Sequence, residues 1–422
     1  MQRPIPPLEA GVSQFFEHLK SKPAVKAALD IATAEKDFAL EEQIQISEIP
    51  SPTFKESVRA QEIAKRMKEY GLKDVTIDEI GNVIGRRPGS GHGPLLAMGA
   101  HMDTVFPEGT DVKVRREGDT LYGPGIGDNA AGLRAVLQTL RMFEKSGIQT
   151  KGDIWFCGTV GEEGNGDIRG SKHLFATHPE IDGFLAVDNT NPGRLLWGAI
   201  GAHRWRVTIE GKGGHSYSAF GEIPSAIHAM CLAGARIAKL YAPNEPKTTY
   251  NLGTIKGGSS VNSIAASCSV DVDIRSLDNE LLLALEKEIM TAFEEGVKEA
   301  NELVGAQDSE YALKVKFEQI GNRPGGFRPD NCPVLQAARG AQKALGIELD
   351  QYTISSTDAN APVSMGIPAT CLSAGGVQMR THSIDEYYIV KDIEKGPELI
   401  FLTALGLVGM EDESPMLPKR EA

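Results

Sequence analysis

Two kinds of strand are written into this 422-residue chain, and they call for different sheets. Residues 95–100 (LLAMGA), 154–160 (IWFCGTV) and 183–187 (GFLAV) are continuous apolar runs, the pattern of strands covered on both faces in a parallel sheet. Residues 203–211 (HRWRVTIEG) and 268–276 (CSVDVDIRS) alternate instead, with Trp205, Val207 and Ile209 on one face and Val270, Val272 and Ile274 on one face. That period of two marks antiparallel strands with one face in water.

Between the apolar runs lie segments of helical period. In SVRAQEIAKRMKEYG, Ala60, Ile63, Ala64 and Met67 share a face and Gly71 supplies a stop; in AAGLRAVLQTLRMFEKSG, Leu133, Val136, Leu137 and Leu140 do the same, with Gly147 beyond the end. Strand–helix alternation predicts an α/β layer with a mixed, mostly parallel sheet. From residue 202 the order reads strand 203–210, helix 224–241, strands 249–255 and 268–275, helix 278–303 and strand 312–318. This β-α-β-β-α-β order is that of a ferredoxin-like α+β domain. The expected organisation is therefore 1–201, an inserted domain at 202–320, and 321–422. After the Gly/Pro-rich return NRPGGFRPDNCP, helix 333–345, strand 367–372 and helix 391–409 would complete the first sheet.

Composition narrows the partners. With 57 acidic against 44 basic residues the net charge is −13, which argues against nucleic acid and anionic membrane surfaces. The most apolar helical stretch, AIHAMCLAGARIAKLYA, carries His228, Arg236 and Lys239 and falls short of a membrane span of about 20 apolar residues. Five scattered cysteines without a CxxC pair speak against a disulfide framework. The opening MQRPIPPLEAGV lacks the apolar stretch of a signal peptide, so the expectation is a reduced, cytoplasmic protein.

Ligands of open α/β sheets bind beyond the carboxyl ends of the strands, and each such end here offers a metal-ligand type of side chain. His101 and Asp103 follow 95–100; Glu162 and Glu163 follow 154–160; Asp188 follows 183–187; Asp128 lies in GPGIGDNAAG before a helix; His382 lies in MRTHSIDEYY. Singly, each has an ordinary reading: a satisfied strand-end histidine, a solvated glutamate pair, a helix N-cap, a turn aspartate. Together, carboxylates gathered at one sheet edge repel unless cations are bound. Two divalent ions meet that need, and the imidazole and carboxylate set suits zinc, with cobalt or manganese as alternatives.

The ordered series GAHMDTV, GPGIGDNAAG, GTVGEEG, LAVDNT, GKGGHS, STDANAPVSMGIP and RTHSIDEYY resembles the M20 family of co-catalytic zinc metallopeptidases over about residues 40 to 410. The resemblance implies one metal on His101 and Asp188, a second on Glu163 and His382, and Asp128 bridging them. It implies Asp103 as the carboxylate orienting His101, Glu162 as general base, and a cis peptide after Asp128. In the inserted domain, which serves such proteins as lid and dimerisation domain, it implies His215 as oxyanion donor and Asn262 and Arg275 as substrate-holding residues. A homodimer formed through that domain follows from the same likeness.

An aspartate at the position of Asp188 accompanies aminopeptidases and dipeptidases in the family, which points to a tripeptidase-like aminopeptidase acting on small peptides. The alternative within the family is an N-acyl-amino-acid amidohydrolase or carboxypeptidase. The alternative outside enzymes, a metal-binding scaffold without turnover, predicts a gap among the ligands or at Glu162, and all these positions are filled. No G-x-S-x-G elbow or P-loop lysine is present.

Overall fold

The computed structural model describes residues 4–420. The chain divides into two compact units, one made of residues 1–199 and 327–422 and the other of residues 200–326.

The first unit is built on a six-stranded sheet in the spatial order Asp74–Ile77, Val83–Arg87, Asp153–Thr159, Leu95–His101, Gly183–Val187, Ala369–Leu372. The last four run parallel to one another, and Val83–Arg87 runs antiparallel to both its neighbours. The apolar runs therefore occupy the centre, where both faces are covered: Leu96, Ala97, Met98, Ile154, Phe156, Phe184, Leu185 and Val187 are all fully buried. Register places His101 opposite Thr159 and Gly99 opposite Ala186. The carboxyl ends of the three central strands thus finish at one level.

The helix Ala130–Ser146 packs on this sheet with the face read from its spacing; Leu133, Val136, Leu137 and Leu140 are each at most 1% exposed. Complete burial of one such side chain contributes about 1.5–3 kcal/mol. Asn129 caps its start by accepting the Gly132 N–H at 3.0 Å, and Gly147 closes it with φ 67°. Helix Ser57–Glu69 and helix Lys395–Val408 also match expectation. The latter begins four residues later than its composition suggests, because Asp392 takes a left-handed conformation (φ 51°). Three helices before residue 48 (Val12–Ser21, Pro23–Ala34, Lys36–Ser47) and a small sheet of Arg194–Ala199, Gln351–Ser355 and Gly326–Phe327 were not anticipated from pattern.

The second unit holds a four-stranded antiparallel sheet in the order Thr248–Gly257, Ser267–Ser276, Gly201–Glu210, Lys314–Arg323, with helices Ala226–Ile237 and Asn279–Glu302. Its connectivity is ferredoxin-like, and the alternating strands turn Val207, Ile209, Val270, Val272 and Ile274 onto a core shared with Ala229, Ala233, Ile289 and Phe293. The last strand runs to Arg323 rather than ending near residue 318, so this unit extends to Gly326.

Candidate metal centre

His101 is the last residue of its strand and is 1% exposed. Its Nδ1 lies 3.0 Å from the Asp103 main-chain carbonyl and 3.5 Å from the Asp103 carboxylate. The carbonyl is thus the nearer partner, and with Nδ1–H donating to it, Nε2 is left with its lone pair free for a metal. That Nε2 points at Asp128 Oδ1, 3.1 Å away, and at Asp188 Oδ1, 4.0 Å away.

Asp128 has its other oxygen, Oδ2, 3.2 Å from His382 Nε2. One carboxylate therefore spans two imidazoles, an oxygen to each. His382 Nε2 also lies 2.9 Å from Glu163 Oε1. The two adjacent glutamates join different sets: the Glu162 carboxylate groups with His101 and Asp188, whereas Glu163 groups with His101 and Asp128, the donor atoms of each set lying within 4.8 Å of one another.

The loops holding these side chains are tied to one another. The Asp103 carboxylate is fully buried and accepts the N–H of Glu162 at 2.9 Å on Oδ1, and on Oδ2 the N–H of Glu163 at 3.0 Å and the Thr53 hydroxyl at 2.9 Å. Besides facing the His101 imidazole, this carboxylate thereby holds the main chain of the two adjacent glutamates. Asn129 donates from Nδ2 to the Val187 carbonyl at 2.9 Å, linking the loop of Asp128 to the strand end before Asp188. The Asp128–Asn129 peptide is cis.

His382 sits in the turn between Val377–Met379 and Tyr387–Ile389 with φ 66°, and its side chain is 53% exposed. A left-handed non-glycine conformation costs of order 1–3 kcal/mol and persists where surrounding contacts impose it. Close by, Glu386 is 1% exposed and accepts three main-chain N–H groups, from Gly125, Gly127 and Asp128.

Electrostatics identify what the cluster lacks from protein alone. Burial and the neighbouring Asp128 charge push the Asp188 carboxyl up to about 7. Against burial, hydrogen bonds from His101 and His382 hold Asp128 well below the usual carboxylate range. Hydrogen bonds to Asp128 and Glu163 raise His382 to about 10. Among the described residues no lysine or arginine pairs with Asp128, Glu163 or Asp188. Two imidazoles and a crowd of carboxylates, one of them between two nitrogens, form a donor set that fits two divalent cations.

A cavity of about 710 Å³ is lined by Asn189 and Thr381, the chain neighbours of Asp188 and His382, together with Arg194, Gln378 and Lys391; the cluster side chains themselves are not part of its wall. Its size is that of a small-molecule site.

The second unit carries the remaining sequence-derived candidates. His215 and Asn262 come together, since His215 pairs with Ser263 in a two-strand contact and Ser216 N–H donates to the Asn262 carbonyl at 3.0 Å. His215 Nδ1 accepts the N–H groups of Tyr217 (3.2 Å) and Ser218 (3.4 Å). A neutral ring so held carries its proton on Nε2, as a donor. Arg275 is half exposed and spends its Nε on Asp273 at 2.7 Å, leaving fewer of its donors for a bidentate contact than its residue type suggests.

Comparison with known proteins agrees with this geometry. The family model described as peptidase family M20/M25/M40 matches residues 97–405. The uncharacterized protein YqjE of Bacillus subtilis (strain 168) is 26% identical over 378 residues, covering 86% of this chain and 96% of that protein. Peptidase T of Clostridium botulinum (strain Langeland) is 24% identical over 397 residues, covering 83% and 91%. Among solved structures, a tripeptidase from Staphylococcus aureus superposes with a TM-score of 0.72 at 25% identity, covering 87% of this chain and 97% of that one. The motifs that ring the cluster lie within the matched span, and the chain belongs to peptidase family M20/M25/M40, a family of metal-dependent hydrolases.

Proposed function

We propose that this protein is an aminopeptidase of the di- or tripeptidase type, cleaving short peptides with a free amino terminus at a two-zinc centre. The observation that carries this reading is the Asp128 carboxylate with one oxygen on each of two imidazoles, 3.1 and 3.2 Å away. His101 and Asp188 would hold one ion, Glu163 and His382 the other, and Asp128 both. Two such ions act as Lewis acids toward an amide carbonyl and bring the pKa of water toward about 7.

The protein's own groups then do the following. Glu162, 5% exposed and fixed at its main-chain N–H by Asp103, takes the proton of the attacking water on its carboxylate and returns it to the leaving nitrogen. His215 donates from Nε2 to the oxyanion, a contribution of about 2.7–4 kcal/mol for donors of this kind. Asn262 and Arg275 hold the substrate's polar end.

Similarity to Peptidase T and to a tripeptidase supports the aminopeptidase assignment, as does an aspartate at position 188. A homodimer through residues 200–326 is supported by Thr248–Gly257, a ten-residue edge strand that is exposed along most of its second half. A reducing, cytoplasmic setting is supported by five free cysteines, four of them buried. Among the described residues no helix is long and apolar enough to cross a membrane.

The test is a panel of free and N-acylated di- and tripeptides, assayed after chelation and again after zinc is restored. Zinc-dependent release of the amino-terminal residue from unblocked peptides is expected. Cleavage confined to N-blocked substrates would assign the chain to the acyl-amino-acid hydrolase or carboxypeptidase branch.

A further inference from the structure

The loop GPGIGD brings Asp128 to the centre, with an internal turn bond from the Ile126 N–H to the Gly123 carbonyl at 3.2 Å. Four N–H groups within six residues point at a single partner. Gly123 donates to the Glu386 main-chain carbonyl at 3.0 Å, and Gly125, Gly127 and Asp128 donate to its carboxylate at 2.9, 2.9 and 3.1 Å. Successive N–H groups turned inward form an anion-binding nest, and here the anion is supplied from more than 250 residues away.

The glycines make this approach possible. Gly125 adopts φ 78°, and a Cβ there would meet Thr104 at 2.9 Å. A Cβ on Gly127 would stand 2.7 Å from Gln378 Cβ and 3.2 Å from Glu386 Oε1. Glu386 also lies four residues beyond His382, and its own N–H donates to the Ser383 carbonyl at 3.0 Å. The same residue therefore grips the loop of Asp128 and closes the turn of His382.

We infer that Glu386 is a positioning residue for the metal centre: gripping GPGIGD from the turn that carries His382, it sets the distance between Asp128 and the imidazole it faces. This rests on Asp128 and His382 being metal ligands. Glu386 is not among the candidate metal ligands, its carboxylate being engaged by the loop N–H groups. A carboxylate is required because both oxygens are in use, Oε1 on two N–H groups and Oε2 on one. A glutamine would place its NH₂ against at least one N–H donor.

The test compares wild type with Glu386→Gln and Glu386→Asp as metal-free proteins titrated with zinc against a chromophoric chelator, and with cobalt by its visible absorption. Outer partners of metal ligands typically change affinity about 10–100-fold. A loss of that size in zinc affinity is expected for Glu386→Gln, with altered cobalt bands at full occupancy and kcat recovering as zinc is raised while KM stays near wild type. Unchanged zinc affinity and cobalt bands overturn the inference, even if thermal stability falls, since packing alone would then account for Glu386. Should the glutamine variant not fold, Glu386→Asp decides by the same readouts. Failure of wild type to take up zinc overturns the metal centre and this inference together; two ions bound equally well by all three proteins overturn this inference alone.

Discussion

Replacing Asp103 by asparagine tests whether this residue acts on the histidine or on the glutamates. The native carboxylate accepts the Glu162 N–H on one oxygen, and the Glu163 N–H and Thr53 hydroxyl on the other. Asparagine has one acceptor oxygen. Placing it where two bonds are kept preserves Glu163 and Thr53 and turns the NH₂ group on the Glu162 N–H. The contact of His101 with the residue-103 main-chain carbonyl is untouched. A hydrogen bond to a charged group is worth about 1.5–3 kcal/mol. At about 1.36 kcal/mol per tenfold, displacement of the general base costs at most on the order of 10- to 150-fold in kcat. Peptide hydrolysis with a free tripeptide, together with elemental analysis of the same samples, gives kcat, KM and metal content. The expected result is reduced kcat at unchanged KM with both metals retained. Loss of metal with full recovery of kcat on adding zinc would refute this reasoning and return Asp103 to the role of histidine orienter.

Other perturbations separate the remaining roles. Glu162→Gln should keep its metal and lose about 10²–10⁴-fold in kcat, measured on metal-verified protein; full activity would remove Glu162 as the base. Gly127→Ala should weaken zinc binding in chelator competition, because its Cβ would sit 2.7 Å from Gln378 Cβ. Away from the site, burial and Glu394 raise the Glu398 carboxyl to about 7 from 4.5. A carboxyl raised in the folded state contributes stability that is present below the unfolded pKa and lost as pH rises through the folded one. Glu398→Gln should therefore gain on wild type between pH 4.5 and 7, by at most about 3 kcal/mol, as read from urea midpoints; a difference independent of pH would refute it.

Much of the sheet and the clustering of candidate ligands was legible because both rest on local pattern. Short apolar runs fit central strands, and His101, Glu163, Asp188 and Asp128 each stand just after one or at a helix start, so chain position brought them forward as candidates. What was hidden depends on contacts distant in sequence. In SIDEYY, Glu386 has the look of a solvated acid; its partners are N–H groups about 260 residues earlier, which carry no side-chain signature. The glycines of GPGIGD were the only local sign that something approaches that backbone. Asp103 was legible only in part. Its i, i+2 spacing from His101 suggested a side-chain pair, and its carboxylate lies 3.5 Å from the imidazole. Its bonds to the N–H groups of Glu162 and Glu163 join residues about 60 apart in the chain and left no local sign. The helices before residue 48 escaped because no motif fixed their role, and Lys36–Ser47 buries Glu42 and Gln43 along with its apolar side chains.

The central claim is a pair of ions joined by Asp128, and metal stoichiometry against activity tests it most directly. Chelated protein should be inactive and should regain tripeptide cleavage as zinc is added, reaching two ions per chain at full rate, whereas Asp128→Asn should fail to hold the pair. Full activity in metal-free protein, or with Asp128→Asn carrying the wild-type complement, would contradict it.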